Sequence, residues 1–378
     1  MKNTQVAKGK NKKISRSKAS PKSIGFAGSQ KKKLSIKKHR QSGHVQHSVL
    51  AKHEGNPIIS PRQENHWESY QTFNPAAIYE DGKVHLLYRA IGNDGLSVVG
   101  YASSRDGMNI EERVFDPVYI AINPRKTHIM AKPIYYNSGG SWGGCEDPRA
   151  VIIGDRIYMT FVAFDGWGSV RMALTSIDLN DFLAKKWKWK RPMLVSPPGE
   201  IHKNWVLFPE KIKGKYAILH SISPKILVDY FDNLDTFDDR PYIKSHHAQI
   251  PHSKQWDNWV RGAGPPPIKT KYGWLLLYHA MDESDPNRYK LGAMMLDADN
   301  PTTILYRSKK PILEPDELYE NEGHKAGVIY SCGAVVIDGK LFVYYGGADT
   351  VVCVATADLE TFLHALMQTH EPKLKRIR

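Results

Sequence analysis

Carboxylates, cations and amides recur in this chain at two kinds of position, just ahead of an apolar run and just behind the run that follows it. Asn74, Glu146, Asp147, Lys203, Asn204 and Arg261 stand at leading ends; Arg89, Asp165, Ser221, Ser223, His279, Asp282 and Asp349 stand at trailing ends. Gathered in one concavity, such a mixture suits an anion or a sugar held beside carboxylates. Asp147 lies in Cys145-Glu146-Asp147-Pro148-Arg149, directly before a strand-like run. Taken alone, that segment also reads as a turn in which Asp147 accepts backbone N–H bonds and Arg149 pairs with Glu146. Arg89 and Asp349 have a structural alternative too, as ion pairs between neighbouring units. Lys203, Arg261 and His279 together offer three potential cations.

Other chemistries lack their residues. There is no G-x-x-x-x-G-K-[ST] phosphate loop and no H-E-x-x-H metal motif. Gly139-Gly140-Ser141-Trp142-Gly143 matches G-x-S-x-G, but no strand precedes it and no helix follows, so it reads as a rim loop. The tail histidines His39, His44 and His47 have no metal-ligand spacing, so no metal and no organic cofactor are expected. Trp142, Trp167, Trp205, Trp256 and Trp259 lie near the same loops, suited to stacking on sugar faces or to packing between units.

The elements that must position these residues repeat five times. Each repeat is an apolar run, a tight turn and a second apolar, aromatic run: 74–90, 146–165, 205–223, 264–282 and 332–349. The turn glycines Gly82, Gly154, Gly214, Gly273 and Gly339 are 72, 60, 59 and 66 residues apart. Each repeat reads as a β-hairpin. A third alternating strand follows at 96–104, 170–177, 225–231, 289–296 and 351–358, several ending in an acidic turn. Such units cannot bury both faces alone, and stacked radially they make a β-propeller. The expected fold is therefore all-β: a five-bladed β-propeller over residues 46–378, its polar strand ends meeting at one channel mouth. A two-sheet sandwich is the competing architecture. Helical periodicity is confined to 358–370, where Leu359, Phe362, Leu363 and Leu366 share a face.

At 378 residues and 41% apolar content, the chain can bury a substantial core. Its formal charge of +14 is unevenly spread. No Asp or Glu precedes Glu54, whereas 15 Lys and Arg do, leaving 38 basic and 39 acidic residues in 54–378. The Lys/Ser-rich segment 1–45 reads as a disordered tail. Lys31, Lys32, Lys33, Lys37, Lys38 and Arg40 form its densest patch, either a loose hold on nucleic acid or a membrane surface, or a solvated extension without a partner. Three widely spaced cysteines (Cys145, Cys332, Cys353), no secretory signal and no long apolar run point to a reducing, cytoplasmic setting.

FNPAAI (73–78), LLYRA (86–90), EDPR (146–149), LFPEKIKGKY (207–216), GAGPPPI (262–268), GWLLLYHA (273–280), PILEP (311–315) and YYGGAD (344–349) occur in order across all five repeats. Jointly they resemble glycoside hydrolase family 130, five-bladed propellers acting on β-mannosides, mostly as inverting phosphorylases and in some branches as hydrolases. The resemblance implies Asp147 as general acid, delivering its proton through a hydroxyl of the bound mannose. It implies Asn74, Arg89 and Asp349, with neighbouring Glu146, as substrate-binding residues. It implies Lys203, Arg261 and His279 as the phosphate site, with inorganic phosphate a co-substrate. One departure is that His220 is followed by Ser221 where phosphorylases of this kind usually have Arg. An inverting hydrolase would need a carboxylate base opposite the acid. Ser221 and Arg261 do not supply one; Asp165, Glu146 and Asp282 stay open as candidates. The expectation is phosphorolysis, or its reverse, of β-mannosides or manno-oligosaccharides. The rivals are hydrolysis on the same scaffold, and a non-catalytic glycan-binding propeller tethered by its tail.

Overall fold

All five hairpins are antiparallel; in the fourth the turn is Lys271-Tyr272 and Gly273 opens the return strand, whereas elsewhere the glycine sits in the turn itself. Asp81 and Gly82 have φ of 49° and 67°, and Asp338 and Gly339 have 48° and 78°. Paired positive φ matches the right-handed twist of the flanking strands, and Asp and Gly tolerate it best. The computed structural model describes residues 50–121, 141, 143–164, 170–245 and 255–368. The basic tail, Asp165, Trp142 and Trp167 lie outside these residues.

The first unit comprises strands Gln71–Glu80, Lys83–Ile91 and Leu96–Ser104; the second comprises Gly143–Ile153, Arg156–Phe164 and Val170–Asp178. In the third, Val206–Leu207, Tyr216–Ser221 and Leu227–Phe231 pair in that order. In the fourth, Gly273–Asp282 pairs with both Trp259–Ala263 and Ile268–Thr270 on one edge and with Asp285–Leu296 on the other. The fifth comprises Ile329–Ile337, Lys340–Gly347 and Val351–Asp358. The architecture is mostly β, and every expected third strand is present.

Parallel bridges join the start of one unit's third strand to the lead-in of the next unit. Leu96 and Ser97 pair with Gly143 and Gly144, Val170 with Ile201, and Tyr289 with Val328. The first of these links fuses the first two units into one hydrogen-bonded sheet, so four sheets rather than five are found among the described residues. Strand Ala51–Lys52 pairs with the third strand of the fifth unit, so the start of the described chain completes its last sheet.

Apolar side chains fill the spaces between units. One buried cluster, with Leu87, Tyr101, Met159 and Phe161, is shared by units one and two; another, with Val162, Met172, Leu207 and Ile218, by two and three. Leu219, Leu276 and Met294 join three to four, and Leu277, Met295, Val343 and Tyr345 join four to five. A fifth cluster, with Leu86, Tyr88, Val335 and Tyr344, joins the fifth unit back to the first. Each sheet thus buries both faces against its neighbours, the burial a lone three-stranded unit lacks.

Acidic residues closing the third strands cap the turns and helices beyond them. Asp106 accepts from the N–H of Met108 and Asn109, and Asp297 from those of Asp299 and Asn300. Asp358 accepts from Thr361 N–H and starts the helix Leu359–Gln368, which buries Phe362, Leu363 and Leu366 as its periodicity requires. Asp178 does the same for the short helix Leu179–Leu183, and a further single-turn helix spans Leu318–Asn321. These two were not expected, because one turn carries too few residues to show a 3.6-residue period. No helix among the described residues is long and apolar enough to cross a membrane.

Candidate active site

Asn74, Glu146, Asp147 and Arg261 lie within strands rather than before them, whereas Lys203 and Asn204 stand ahead of theirs, and a repeated irregularity turns residues out of the ladder. Strand pairing slips between Phe73 and Ala76, between Glu146 and Arg149, between Val260 and Gly262, and between Ser331 and Gly333. In the first two units the extra residues are Asn74-Pro75 and Asp147-Pro148, with φ of 48° at Asn74 and 50° at Asp147. A bulge re-aims a side chain and Pro lacks the N–H that regular pairing would use. Asn and Asp are also the side chains that best tolerate left-handed backbone. Asn204, with φ of 65°, occupies the matching place just ahead of the third unit's first strand.

Arg89 reaches this bulged edge from the adjacent strand. Its Nη1 donates to Asp147 Oδ1 at 3.0 Å and its Nη2 to Glu146 Oε1 at 3.0 Å. Nη2 also reaches Ser141 Oγ at 3.0 Å, while Nε donates to Ser97 Oγ at 2.9 Å. Asn74 Nδ2 donates to the same Asp147 Oδ1 at 2.8 Å. Glu146 Oε1 accepts a further bond from Ser141 Oγ at 2.8 Å, and its Oε2 meets Lys203 Nζ at 3.0 Å. Glu146 thus joins Arg89 to Lys203 and does not pair with Arg149.

Arg149 instead lies behind Asp147. It donates from Nη1 to the carbonyl of Asp147 at 2.8 Å, from Nε to that of Gly264 at 2.8 Å, and from Nη2 to Asn204 Oδ1 at 2.8 Å. Asn204 Nδ2 donates to the carbonyl of Arg261 at 2.9 Å, and Tyr330 OH donates to Asn204 Oδ1 at 2.5 Å. The Tyr330 ring stacks on His279 at 3.9 Å between centroids, and His279 Nε2 accepts from Ser331 N–H at 2.9 Å. Tyr330 and the backing role of Arg149 escape sequence reading because the partners that fix them, Asn204 for both, Gly264 for Arg149 and His279 for Tyr330, lie in other units. Only the matching Asn-Pro and Asp-Pro in the first two repeats mark the bulges.

Burial and charge work against each other here. Burial raises the Asp147 carboxyl, but Arg89, Lys203, Arg149 and the Asn74 bond outweigh it, holding it well below the usual carboxylate range. Asp349 goes the opposite way: burial raises it, with Lys325 and Arg89 only partly offsetting that. Its backbone, at φ 51°, is anchored where its carbonyl accepts from Gln71 Nε2 at 2.6 Å. His279 is lowered to about 3 by burial first and Arg149 second, so it is a neutral imidazole. With Nε2 accepting, its proton resides on Nδ1.

Beside this network a pocket opens between the third and fourth units. Lys203, Asn204, His220, Ser221, Ser223 and Arg261 give its polar lining, and no carboxylate among the described residues lines it. Ser221 Oγ donates to the Ser223 carbonyl at 3.0 Å, and the Arg261 guanidinium lies 5.8 Å from the Tyr289 ring centre. Asp282 does not take part: it accepts from Ser284 N–H and Oγ within its own turn. Trp205 and Trp256 serve packing, Trp205 between His202 and His220 and Trp256 against Tyr278.

The chain matches, over residues 50–368, the glycoside hydrolase family 130 sequences described as beta-1,4-mannooligosaccharide phosphorylase. It is 39% identical over 316 residues to a 1,2-beta-oligomannan phosphorylase of Thermoanaerobacter sp. (strain X514), covering 80% of this chain and 95% of that one. A beta-1,2-mannobiose phosphorylase of the same organism is 36% identical, over 82% of this chain and 98% of its own length. Among solved structures, the beta-1,2-mannobiose phosphorylase of Listeria innocua in complex with beta-1,2-mannobiose superposes with a TM-score of 0.65 at 26% identity, covering 85% of this chain and 99% of that one.

Proposed function

Because the chain belongs to glycoside hydrolase family 130, we propose that it is an inverting phosphorylase of β-1,2-linked mannosides, with Asp147 as general acid and inorganic phosphate as nucleophile. The enzyme breaks the bond between the mannosyl anomeric carbon and the bridging oxygen. Phosphate attacks that carbon from the face opposite the departing sugar. Asp147, having taken up a proton from solvent once phosphate is bound, gives it to a hydroxyl of the mannosyl ring, which passes its own proton to the bridging oxygen. The products are α-mannose 1-phosphate and a shortened mannoside. Run in reverse, the same site lengthens a mannoside and releases phosphate. Asn74, Arg89 and Asp349 hold the mannosyl ring, and Glu146, enclosed between Arg89 and Lys203, orients both cations.

The observation that carries phosphorolysis over hydrolysis is the lining of the pocket between units three and four, where Lys203 and Arg261 stand and no carboxylate is found among the described residues. An inverting hydrolase needs a second carboxylate roughly 6.5–9.5 Å from the acid to activate water, whereas phosphate brings its own negative charge. That charge serves the acid as well. Asp147 is ionised in the empty site, and an anion arriving beside Lys203, one of the cations that lower it, offsets that field and raises its proton affinity. Phosphate binding thereby readies the acid that its own attack requires. His279, neutral and fully buried, supports this site through Tyr330 and Asn204.

The same reading makes the fold a five-bladed propeller. It is supported by the five core clusters that run from unit to unit and back to the first, and by the superposition on the Listeria phosphorylase. Three buried cysteines without disulfides suit a reducing, cytoplasmic setting. The test runs the reaction backwards: α-mannose 1-phosphate and mannose are supplied, and inorganic phosphate and disaccharide are measured. Equimolar release of both supports the assignment. No disaccharide, with the phosphate ester consumed or untouched, removes it.

A further inference from the structure

Two hydrogen-bonded clamps of the same design stand behind the site, one in the first unit and one in the fourth. In the first, Tyr88 OH donates to Glu68 Oε2 at 2.7 Å; Arg113 donates from Nη2 to the same oxygen at 2.5 Å and from Nε to Tyr88 OH at 3.0 Å. In the fourth, Tyr278 OH donates to Asp257 Oδ2 at 2.5 Å; Arg307 donates to that oxygen from Nε at 2.8 Å and to Tyr278 OH at 3.3 Å. Each tyrosine stacks on the tryptophan preceding the acid, Trp67 at 6.4 Å and Trp256 at 6.3 Å. Each also lies against a glycine of the third strand: a Cβ at Gly100 would come within 2.3 Å of the Tyr88 ring, and one at Gly292 within 2.4 Å of Tyr278. Glu68 and Asp257 are 0% and 1% exposed.

The residues immediately after the two tyrosines are Arg89 and His279. Successive residues of a strand point to opposite faces, so fixing a tyrosine on one face fixes the rotation of its neighbour on the other. Arg89 bonds to Asp147 and Glu146. His279 stacks on Tyr330, whose hydroxyl holds Asn204, which in turn holds the backbone of Arg261. We infer that the two clamps are positioning devices serving different substrates, Glu68–Tyr88–Arg113 the mannosyl side through Arg89, and Asp257–Tyr278–Arg307 the phosphate side through His279, Tyr330 and Arg261. This inference rests on the proposed phosphorolysis.

The experiment uses the full chain with Tyr88→Phe and Tyr278→Phe, which keep both rings, both tryptophan contacts and both Arg–carboxylate pairs. KM is measured for mannobiose and for phosphate, with binding of each ligand by calorimetry and thermal stability of each variant. Losing one hydrogen bond to a charged group predicts a roughly fivefold or larger rise in one KM. Tyr88→Phe raises that for mannobiose with phosphate unchanged, and Tyr278→Phe does the reverse. Should either variant fail to fold, Arg113→Lys or Arg307→Lys loosens the same clamp from its other end. The inference is overturned if stability falls while both constants stay put, if both variants move the same constant, or if every variant of a clamp fails to fold. A wild-type protein that is folded yet forms no mannose 1-phosphate overturns the functional reading instead, and is told apart before any variant is made.

Discussion

The two sides of the site are built to different standards of closure. Where the first and second units meet, Arg89, Glu146, Asp147, Asn74 and Ser141 are buried and interlocked at 2.8–3.0 Å. Where the third and fourth meet, Lys203 and Arg261 keep partial exposure, and they border a pocket whose polar lining includes the Ser221 and Ser223 hydroxyls. The first side is organised before any ligand arrives, which suits a proton donor whose geometry decides the rate. The second holds cations in reach of water, which suits a small anion that must enter at each turnover. A protein that only bound glycans would have no use for both.

The contrast is broken most severely at the acid. Asp147→Asn should lower kcat for mannobiose by about 10²–10⁴-fold, the usual worth of a positioned proton donor. A nitrophenyl mannoside, whose leaving group needs no proton, should lose far less; equal losses would show that Asp147 serves binding alone. Arg89→Ala leaves Glu146 and Asp147 buried without their guanidinium and should cost about 3–5 kcal/mol of stability in chemical denaturation. Arg261→Ala should leave the denaturation midpoint nearly unchanged and raise KM for phosphate roughly tenfold, while that for the mannoside holds. Similar stability losses at both arginines would erase the distinction between the two sides.

The smallest effects lie in the pH dependence of stability. His279 has its pKa lowered in the fold, so its contribution is complete above 6.5 and is lost as pH falls from there toward about 3. Asp147 is also lowered, and its contribution is complete above the ordinary carboxylate value of 3.8 and lost as pH falls from there toward about 2. Asp349, raised by burial, has the opposite sign: protonation relieves it. Melting temperatures between pH 7 and 4 should therefore fall less steeply in His279→Gln than in wild type. Asp349→Asn should be slightly more stable than wild type at pH 7 while binding mannoside more weakly. A variant at position 349 that is less stable at pH 7 would contradict the burial argument.

The hairpins were legible because their causes are local. Asp81-Gly82 and Asp338-Gly339 signal turns within two residues, and alternation marks the strands on either side. The third strands and the C-terminal helix were readable on the same grounds. The proximity of Asn74, Arg89, Asp147 and Lys203, linked through Asp147 and Glu146, was also legible, since the repeat itself gathers them. Two things were hidden. The bulges place Asn74 and Asp147 inside strands rather than ahead of them, a consequence of pairing register that no single segment carries. Arg149 and Tyr330 depend on partners in other units: Gly264 and Asn204 for the one, His279 and Asn204 for the other. Nothing in the local sequence separates Arg149 from a cation paired with Glu146.

The central claim is that Asp147, protonated once phosphate is bound, and an anion pocket act together on one glycosidic bond. A nuclear magnetic resonance time course of β-1,2-mannobiose with the purified protein, in phosphate and in phosphate-free buffer, tests it most directly. The account predicts α-mannose 1-phosphate from the first turnovers in phosphate and no cleavage without it. Free mannose released at the same rate in both buffers, or a β-configured phosphate ester, would contradict it.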